Sequence, residues 1–382
     1  MKAFVVGGAG GMGQAAVRDL IKQERVEKVV IGTRNPDPAR LHAKLQASDK
    51  VSLVGVDALD HAGLVKAVKG CDVVINCAGP FYKTAVAVAK ASIEAGLSYL
   101  DICDDYEAAG ILFASADLDA AAKKAGVMVL TGMGSDPGTN NIVAKYFSDQ
   151  LDQVDEIDLY WIVSIADIDP GAAWDHSLHM VTGNVPQFLD GKLQQVPGGT
   201  GEERVKFLDP LGENVISYVG HPQPLTLPRY IPGVKKVVIK GALIPTWVDQ
   251  FIKHQNDTGF LGTELVDVGG VAVRPYDLTL KLWDNIPAGR EQGPKASGMK
   301  MIVKGVRAGK EVTYTADMVG STAAGTGLPV SIAALMLDAG EITAKGVVAP
   351  EGCIDPKKYL AQMIGRGAKI HVTETSKSIL TL

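Results

Sequence analysis

The chain is poor in cysteine, in long apolar runs and in surplus positive charge, and each shortage closes off a class of protein. Four cysteines, Cys71, Cys77, Cys103 and Cys353, are scattered over 382 residues with no C-x-x-C pair and no zinc-type spacing to histidine. Neither a disulfide framework nor a zinc site is expected. They read as reduced thiols, with Cys77 and Cys103 as small side chains lining a core. The apolar runs are strand-length, too short to span a bilayer, and the first residues show neither the h-region nor the cleavage site of a secretory signal. A cytoplasmic location is therefore expected. Lys and Arg number 38 against 43 Asp and Glu, a formal charge of −5, which leaves no basic face for nucleic acid or an anionic membrane. No internal repeat, no G-x-S-x-G, no kinase motif and no metal-binding constellation occurs, and no metal is expected.

What is present is an ordinary globular balance, 46% hydrophobic and 21% charged, with 43 glycines. The length suggests two domains, because single cores stop growing near about 250 residues. From residue 3 to about 150, β-branched runs alternate with helical patterns, the mark of repeated βαβ units. Strands are expected at 3–6, 29–32, 51–56, 72–76, 99–103 and 127–131. Asp37-Pro38 and Asp60 open helices, and Gly96 and Gly126 close them. Beyond residue 155 the strand-like runs 156–164, 236–244, 299–306 and 311–318 are joined by long loops, 165–235 and 284–298, with a hairpin turn at 307–310. The expected fold is α/β: an N-terminal Rossmann doubly wound parallel sheet plus a second α+β domain with a mixed or antiparallel sheet. Residues 1–135 form the dinucleotide-binding domain, with 325–382 packing back on it, and 136–324 form a substrate-binding and dimerisation domain. A homodimer is expected by analogy with the fold.

Gly8, Gly10 and Gly13 form G-x-G-x-x-G between the first strand and a helix beginning near Met12. The first glycine permits the turn, the second admits a pyrophosphate, and the third lets helix and strand pack closely. The helix N-terminus, with Gly11 and Met12, supplies N–H groups and a favourable dipole. At the end of the second strand Thr33 stands where an NAD-selecting acid would be, followed by Arg34 and Asn35. A guanidinium there suits a 2′-phosphate, so NADP is favoured with NAD possible; Arg34 stacked on adenine, or turned to solvent, is the alternative. Asp57 reads as a partner for the adenine amino group or as a helix cap.

Three stretches, INCAGPFY (75–82), YLDICDDYE (99–107) and GMGSDPGTNN (132–141), resemble the saccharopine dehydrogenase-like oxidoreductases, the group of saccharopine reductase, lysine 6-dehydrogenase and carboxynorspermidine dehydrogenase. TGLPVSIAALMLDAGEITAKGVVAPE in the tail is similar more loosely. The resemblance implies hydride transfer between NAD(P) and a carbon bearing nitrogen in an amino acid, amine or imine. The chain departs from the NAD-directed lysine 6-dehydrogenases at Thr33-Arg34, and from carboxynorspermidine dehydrogenase at Ile102-Cys103-Asp104-Asp105, so the substrate stays open.

These motifs fall on strand-end loops, where ligands of open α/β sheets lie. Cys77, Ala78, Gly79 and Pro80 are expected beside the nicotinamide, with Phe81 and Tyr82 toward substrate. Asp101, Asp104, Asp105 and Asp136 gather carboxylates whose mutual repulsion suits acid/base work and an ammonium-bearing substrate. Asp101, Asp104, Tyr106 and Asp136 are catalytic candidates; caps and solvated loop charges are the alternative. Trp174, His176 and His179 lie close together in sequence, Trp174 and His176 as substrate-binding candidates and His179 as a further proton carrier, against a purely structural reading. Arg229 and Arg274 are candidates for holding a substrate carboxylate, against surface pairing. Rival functions are an NADP-dependent carbonyl or enoyl reductase, and a catalytically idle NADP-binding sensor.

Overall fold

A computed structural model describes residues 1–168 and 172–377. The chain opens with six strand-helix steps: β1 (Lys2–Val6), α1 (Gly11–Leu20), β2 (Lys28–Thr33), α2 (Ala43–Gln46), β3 (Val51–Gly55), α3 (His61–Ala67), β4 (Val73–Asn76), α4 (Phe81–Glu94), β5 (Ser98–Asp101), α5 (Tyr106–Ala114), α6 (Ala116–Ala125), β6 (Met128–Leu130) and α7 (Thr139–Ser148). It continues through β7 (Gln153–Ser164), α8 (Ala172–His179), β8 (Asn184–Leu189), β9 (Lys192–Pro197), β10 (Glu203–Lys206), β11 (Glu213–Tyr218), α9 (Gln223–Tyr230), β12 (Lys236–Ile244), α10 (Thr246–Asp257), β13 (Val266–Val268), β14 (Val271–Val273) and α11 (Pro275–Trp283). It ends with β15 (Ser297–Arg307), β16 (Lys310–Gly320), α12 (Thr322–Asp338), β17 (Gly346–Val348), α13 (Pro350–Cys353), α14 (Pro356–Gly365) and β18 (His371–Lys377).

Two compact units result. The first comprises residues 1–150, 225–231 and 322–369; the second comprises 151–224, 232–321 and 370–382. Residues 136–150 therefore belong with the N-terminal sheet, and β18 pairs with β16 in the second unit, whereas the sequence reading put both elsewhere.

The first unit is a seven-stranded sheet in the order β17-β6-β5-β4-β1-β2-β3, parallel at every pairing. Phe4, Val5, Ile31, Val74, Ile75 and Leu100 are fully buried, as expected of strands covered on both faces. One covering layer comes from α1 and α12. α12 is apolar nearly all round, with Val330, Ile332, Ala333 and Met336 buried in the same cluster as the strands. A Cβ on Gly327 of α12 would meet the Met12 carbonyl oxygen at 2.6 Å and the Ala16 amide at 2.7 Å. Only a bare Cα lets the two helices approach this closely. Arg366, after α14, donates Nε to both oxygens of buried Asp19 on α1, which also accepts from Ser331 of α12.

The second unit holds a nine-stranded mixed sheet, β10-β11-β12-β7-β15-β16-β18, with β8 paired to β12 and β9 paired to β8; β7 and β12 run parallel, the other pairings antiparallel. Period-two alternation shows in β15, where Met301 and Val303 are buried and Lys300 and Lys304 face the other way. The 165–235 stretch, expected as a loop, contains α8, four strands and α9. The short polar strands β9 and β10 carry none of the apolar alternation that would mark them. A separate two-stranded ribbon, β13-β14, completes the unit.

Candidate active site

The nucleotide end of the site follows from one backbone feature. Gly7 takes φ +71° at the end of β1, a left-handed turn that glycine adopts without strain, and the chain then enters α1. The N-cap is Gly10, which offers no side-chain cap to the first turn. The N-terminal amides of α1 and its dipole are thus presented to an anion. A Cβ on Gly13 would lie 2.7 Å from the Gly8 Cα, so the third glycine lets helix and turn nest. Gly8, Gly10, Gly11, Met12 and Gly13 fit a dinucleotide on these grounds.

At the end of β2, Thr33 is half-buried while Arg34 and Asn35 are exposed. Sequence reasoning missed Arg40. Gln14 of α1 donates to the Ala9 carbonyl at 2.9 Å and to the Arg40 carbonyl at 3.2 Å, and accepts from the His42 amide at 2.7 Å. That one amide side chain ties the 34–42 segment to the glycine turn, so exposed Arg40 joins Arg34 near the fingerprint. The signal lay in Gln14, directly after the third glycine. Asp57 is exposed, and its carboxylate accepts from the Leu59 amide at 2.9 Å; the helix that follows, α3, is capped by Asp60.

The strand ends β4, β5 and β6 are joined by a buried polar relay. Asn76 accepts from the Ala78 amide at 3.0 Å and donates to the Tyr99 hydroxyl at 3.2 Å; Tyr99 donates to Asp101 at 2.7 Å. Asp101 also accepts from the Cys103 and Gly132 amides and the Thr131 hydroxyl. Its exposure is zero. Burial pushes the Asp101 carboxyl up to about 6 despite these donors, and burial with Asp101 nearby pushes the Cys77 thiol up to about 12. Asp101 is therefore a positioning group that fixes three strand ends, and not the substrate-touching acid that was expected. Asn76, Tyr99 and Thr131 were not foreseen. Their roles depend on neighbours brought together across strands.

Cys77, Ala78 and Pro80 are half-buried and Gly79 is exposed on the loop after β4. Phe81 is 7% exposed and packs in the core, which corrects its assignment to substrate. Tyr82 is half-buried, and its amide donates to buried Asp105 at 3.0 Å, so Asp105 satisfies the first turn of α4. Asp104 and Tyr106 are both partly exposed on the loop after β5. Burial, then the Glu107 charge, raises the Tyr106 phenol, which keeps it protonated. On the loop after β6, Asp136 is half-buried and accepts from Asn140. That loop is closed by Gly134 N–H to the Pro137 carbonyl at 2.9 Å and by Thr139 N–H to the Gly134 carbonyl at 3.0 Å.

In the second unit Trp174, His176 and His179 share α8. Trp174 is 4% exposed and its ring lies tilted against that of Trp283 with centroids 4.6 Å apart, a core aromatic and not a substrate contact. His176 and His179 are half-buried; the His176 ring meets the His221 ring edge-on at 5.5 Å. α8 is pinned by Tyr276, whose hydroxyl donates to the Asp175 carboxylate at 2.7 Å. Neither arginine assigned to substrate is held in a pocket. Arg229 is exposed, donates to the Leu225 carbonyl and lies over the Phe113 ring; Arg274 is exposed, donates to the Thr263 carbonyl and pairs with Asp277.

Residues 4–130 match the saccharopine dehydrogenase NADP-binding domain and residues 134–368 the saccharopine dehydrogenase C-terminal domain. The chain is 24% identical, over 97% of both sequences, to a carboxyaminopropylagmatine dehydrogenase of Synechocystis sp.. Its fold is similar to that of the saccharopine dehydrogenase (L-Glu forming) of Saccharomyces cerevisiae, with a TM-score of 0.70 at 17% identity, over 99% of this chain and 100% of that one.

Proposed function

The chain belongs to the saccharopine dehydrogenase family and is an NADP-binding oxidoreductase; from that premise we propose that it moves hydride to or from a C–N carbon of a small amine or amino acid. The observation that carries this reading is the relative named for carboxyaminopropylagmatine, matched from end to end. An amine whose alkyl chain carries a carboxylate is accordingly the substrate class proposed. A neutral alcohol or lipid-like ketone has no use for the partly exposed carboxylates of Asp104 and Glu107.

Bound NADP(H) supplies or accepts the hydride. Gly8 to Gly13 would hold its pyrophosphate, Arg34 and Arg40 its 2′-phosphate, and Ala78 to Pro80 its nicotinamide half. Asp104, partly exposed at the carboxyl edge of the sheet, is proposed to take up and return the amine proton. Tyr106, protonated, donates a hydrogen bond. Asp136, Tyr82, His176 and His179 remain proposed substrate-side groups. A homodimer in the cytoplasm is part of the reading, supported by four unpaired thiols, which suit a reducing compartment.

The test follows NADPH and NADH oxidation with a panel of aldehydes and oxo acids, each with and without an amine such as agmatine, a diamine or lysine, and NADP reduction with the corresponding secondary amines. Oxidation that requires both carbonyl compound and amine supports the proposal. Turnover with carbonyl alone makes the protein a carbonyl reductase, and tight NADPH binding with no turnover makes it a sensor. With the substrate in hand, Asp104→Asn is expected to lower kcat/KM by roughly 10²- to 10⁴-fold with NADPH affinity unchanged.

A further inference from the structure

Glu351 is a buried carboxyl that the proposed chemistry does not use. It is 3% exposed, and neither of its side-chain oxygens has a hydrogen-bond partner. It lies on α13, where three segments of the first unit meet. Thr226 and Tyr230, one turn apart on α9, both turn toward α13: the Tyr230 hydroxyl accepts from the Ala349 amide at 3.4 Å, a Cβ on Gly352 would lie 2.2 Å from the Tyr230 ring, and Thr226 is set against Glu351. From α7, Asn141 is set against Glu351 as well. Asn141 donates Nδ2 to the Thr226 hydroxyl at 3.4 Å, and its Oδ1 is another buried oxygen without a donor. The cluster is therefore rich in acceptors and short of donors.

Among the described residues no cation pairs with this acid. Arg229 of α9 lies over the Phe113 ring and Lys145 of α7 pairs with Asp149, while the titratable neighbours Tyr230 and Cys353 are raised by burial, to which the Glu351 charge adds. An ionised carboxyl buried without a counter-ion is strongly disfavoured. Burial pushes the Glu351 carboxyl above its ordinary 4.5 accordingly. We propose that Glu351 carries a proton in the folded chain and closes a ring of hydrogen bonds: its O–H donates to Asn141 Oδ1, Asn141 Nδ2 donates to the Thr226 hydroxyl, and Thr226 O–H donates to the second Glu351 oxygen. The proton supplies the donor that the cluster lacks. The ring ties α7, α9 and α13 together and makes Glu351 a positioning residue, because Asn141 is in the first turn of α7 beside Asn140, which donates to Asp136. Its bearing on the reaction rests on the substrate-side place proposed for Asp136; the proton does not.

The experiment compares the full chain with Glu351→Gln and Glu351→Leu. In D2O near neutral pD the infrared spectrum of wild type is expected to contain a protonated-carboxyl C=O band that Glu351→Gln removes. Glu351→Gln, whose amide donates where the carboxyl did, is expected to melt with wild type, and Glu351→Leu several degrees lower with faster hydrogen exchange of amides 139–142. A carboxyl raised above 4.5 on folding contributes stability that is fully present below that value and lost as pH rises through the folded one. Above pH 7, past the range in which Asp101 titrates, the band and the wild-type melting temperature are thus expected to fall together, with no such fall in Glu351→Gln. A missing band, a glutamine variant as destabilised as the leucine one, or equal pH dependence in wild type and Glu351→Gln overturns the proposal. A wild-type melting temperature raised by Na⁺ or K⁺ over choline at one ionic strength, but not in Glu351→Gln, overturns it in favour of a bound cation. None of these readings uses turnover, so a chain inactive on every amine can still hold the proton, and an active one can lack it.

Discussion

Asp101 and Asp104 lie three residues apart and carry the same group, yet their surroundings give them different work. Asp101 accepts four hydrogen bonds in a fully buried site, while Asp104 keeps part of its surface in solvent. Burial raises the Asp101 carboxyl from 3.8 to about 6, so between those values the folded chain holds a proton that the unfolded chain has lost. Its contribution to stability is therefore greatest at low pH and falls as pH rises toward 6, by roughly 3 kcal/mol for about two pKa units. Asp101→Asn is expected to flatten that slope in urea melts at pH 4.5, 6 and 8. At pH 8 it also costs roughly 1–3 kcal/mol, since an amide cannot accept from all four donors. An unaltered slope would remove Asp101 as its source. Arg34 and Arg40 make a second residue-scale case: replacing both with alanine is expected to weaken NADPH binding about 10²- to 10⁴-fold with NADH binding little changed, each charge-assisted hydrogen bond being worth roughly 1.5–3 kcal/mol. Equal losses for the two nucleotides in a fluorescence titration would place the 2′-phosphate elsewhere.

Between elements, the decisive contact is α1 against α12. A methyl at residue 327 would press on the backbone of Met12 and Ala16, and backbone cannot turn aside as a flexible side chain can. Gly327→Ala is expected to cost roughly 1–3 kcal/mol by overpacking and, because Met12 is in the first turn of α1, to weaken NADPH binding as well. A melt and a titration of the same variant would show both losses, and a stability loss with full affinity would separate the contact from the cofactor. The sequence announced the strands β1 to β6 because each is a local apolar run between a helix stop and the next start. It did not announce β17, whose three residues join the sheet beside β6 only after 215 intervening positions make that pairing possible. Likewise the glycine fingerprint was legible as spacing, while Arg40 and the Asn76-Tyr99-Asp101 relay exist only through contacts across strands. Trp174 and Phe81 misled for the converse reason: an aromatic next to a motif reads the same whether it faces substrate or core.

On the scale of the molecule, the N-terminal unit is a composite that the order of residues conceals. Its sheet is finished by β17, its α1 face is covered by α12, and Tyr359 and Met363 of α14 share its buried cluster. The stretch 1–150 holds every part of the fingerprint, but alone it would expose Ala16, Val17 and Leu20, all fully buried in the whole chain. At ~25 cal/mol per Å², uncovering several such side chains costs several kcal/mol, comparable with the whole stability of a domain of this size. A 1–150 fragment is thus expected to bind a hydrophobic dye, to lack a cooperative unfolding transition and to lose NADPH binding. Joining residues 322–369 to it through a flexible linker is expected to restore much of all three properties. If the 1–150 fragment by itself unfolds cooperatively and binds NADPH as the full chain does, the C-terminal segment is an ornament on an independent nucleotide domain, and the integration argued from Gly327 and the shared core is wrong.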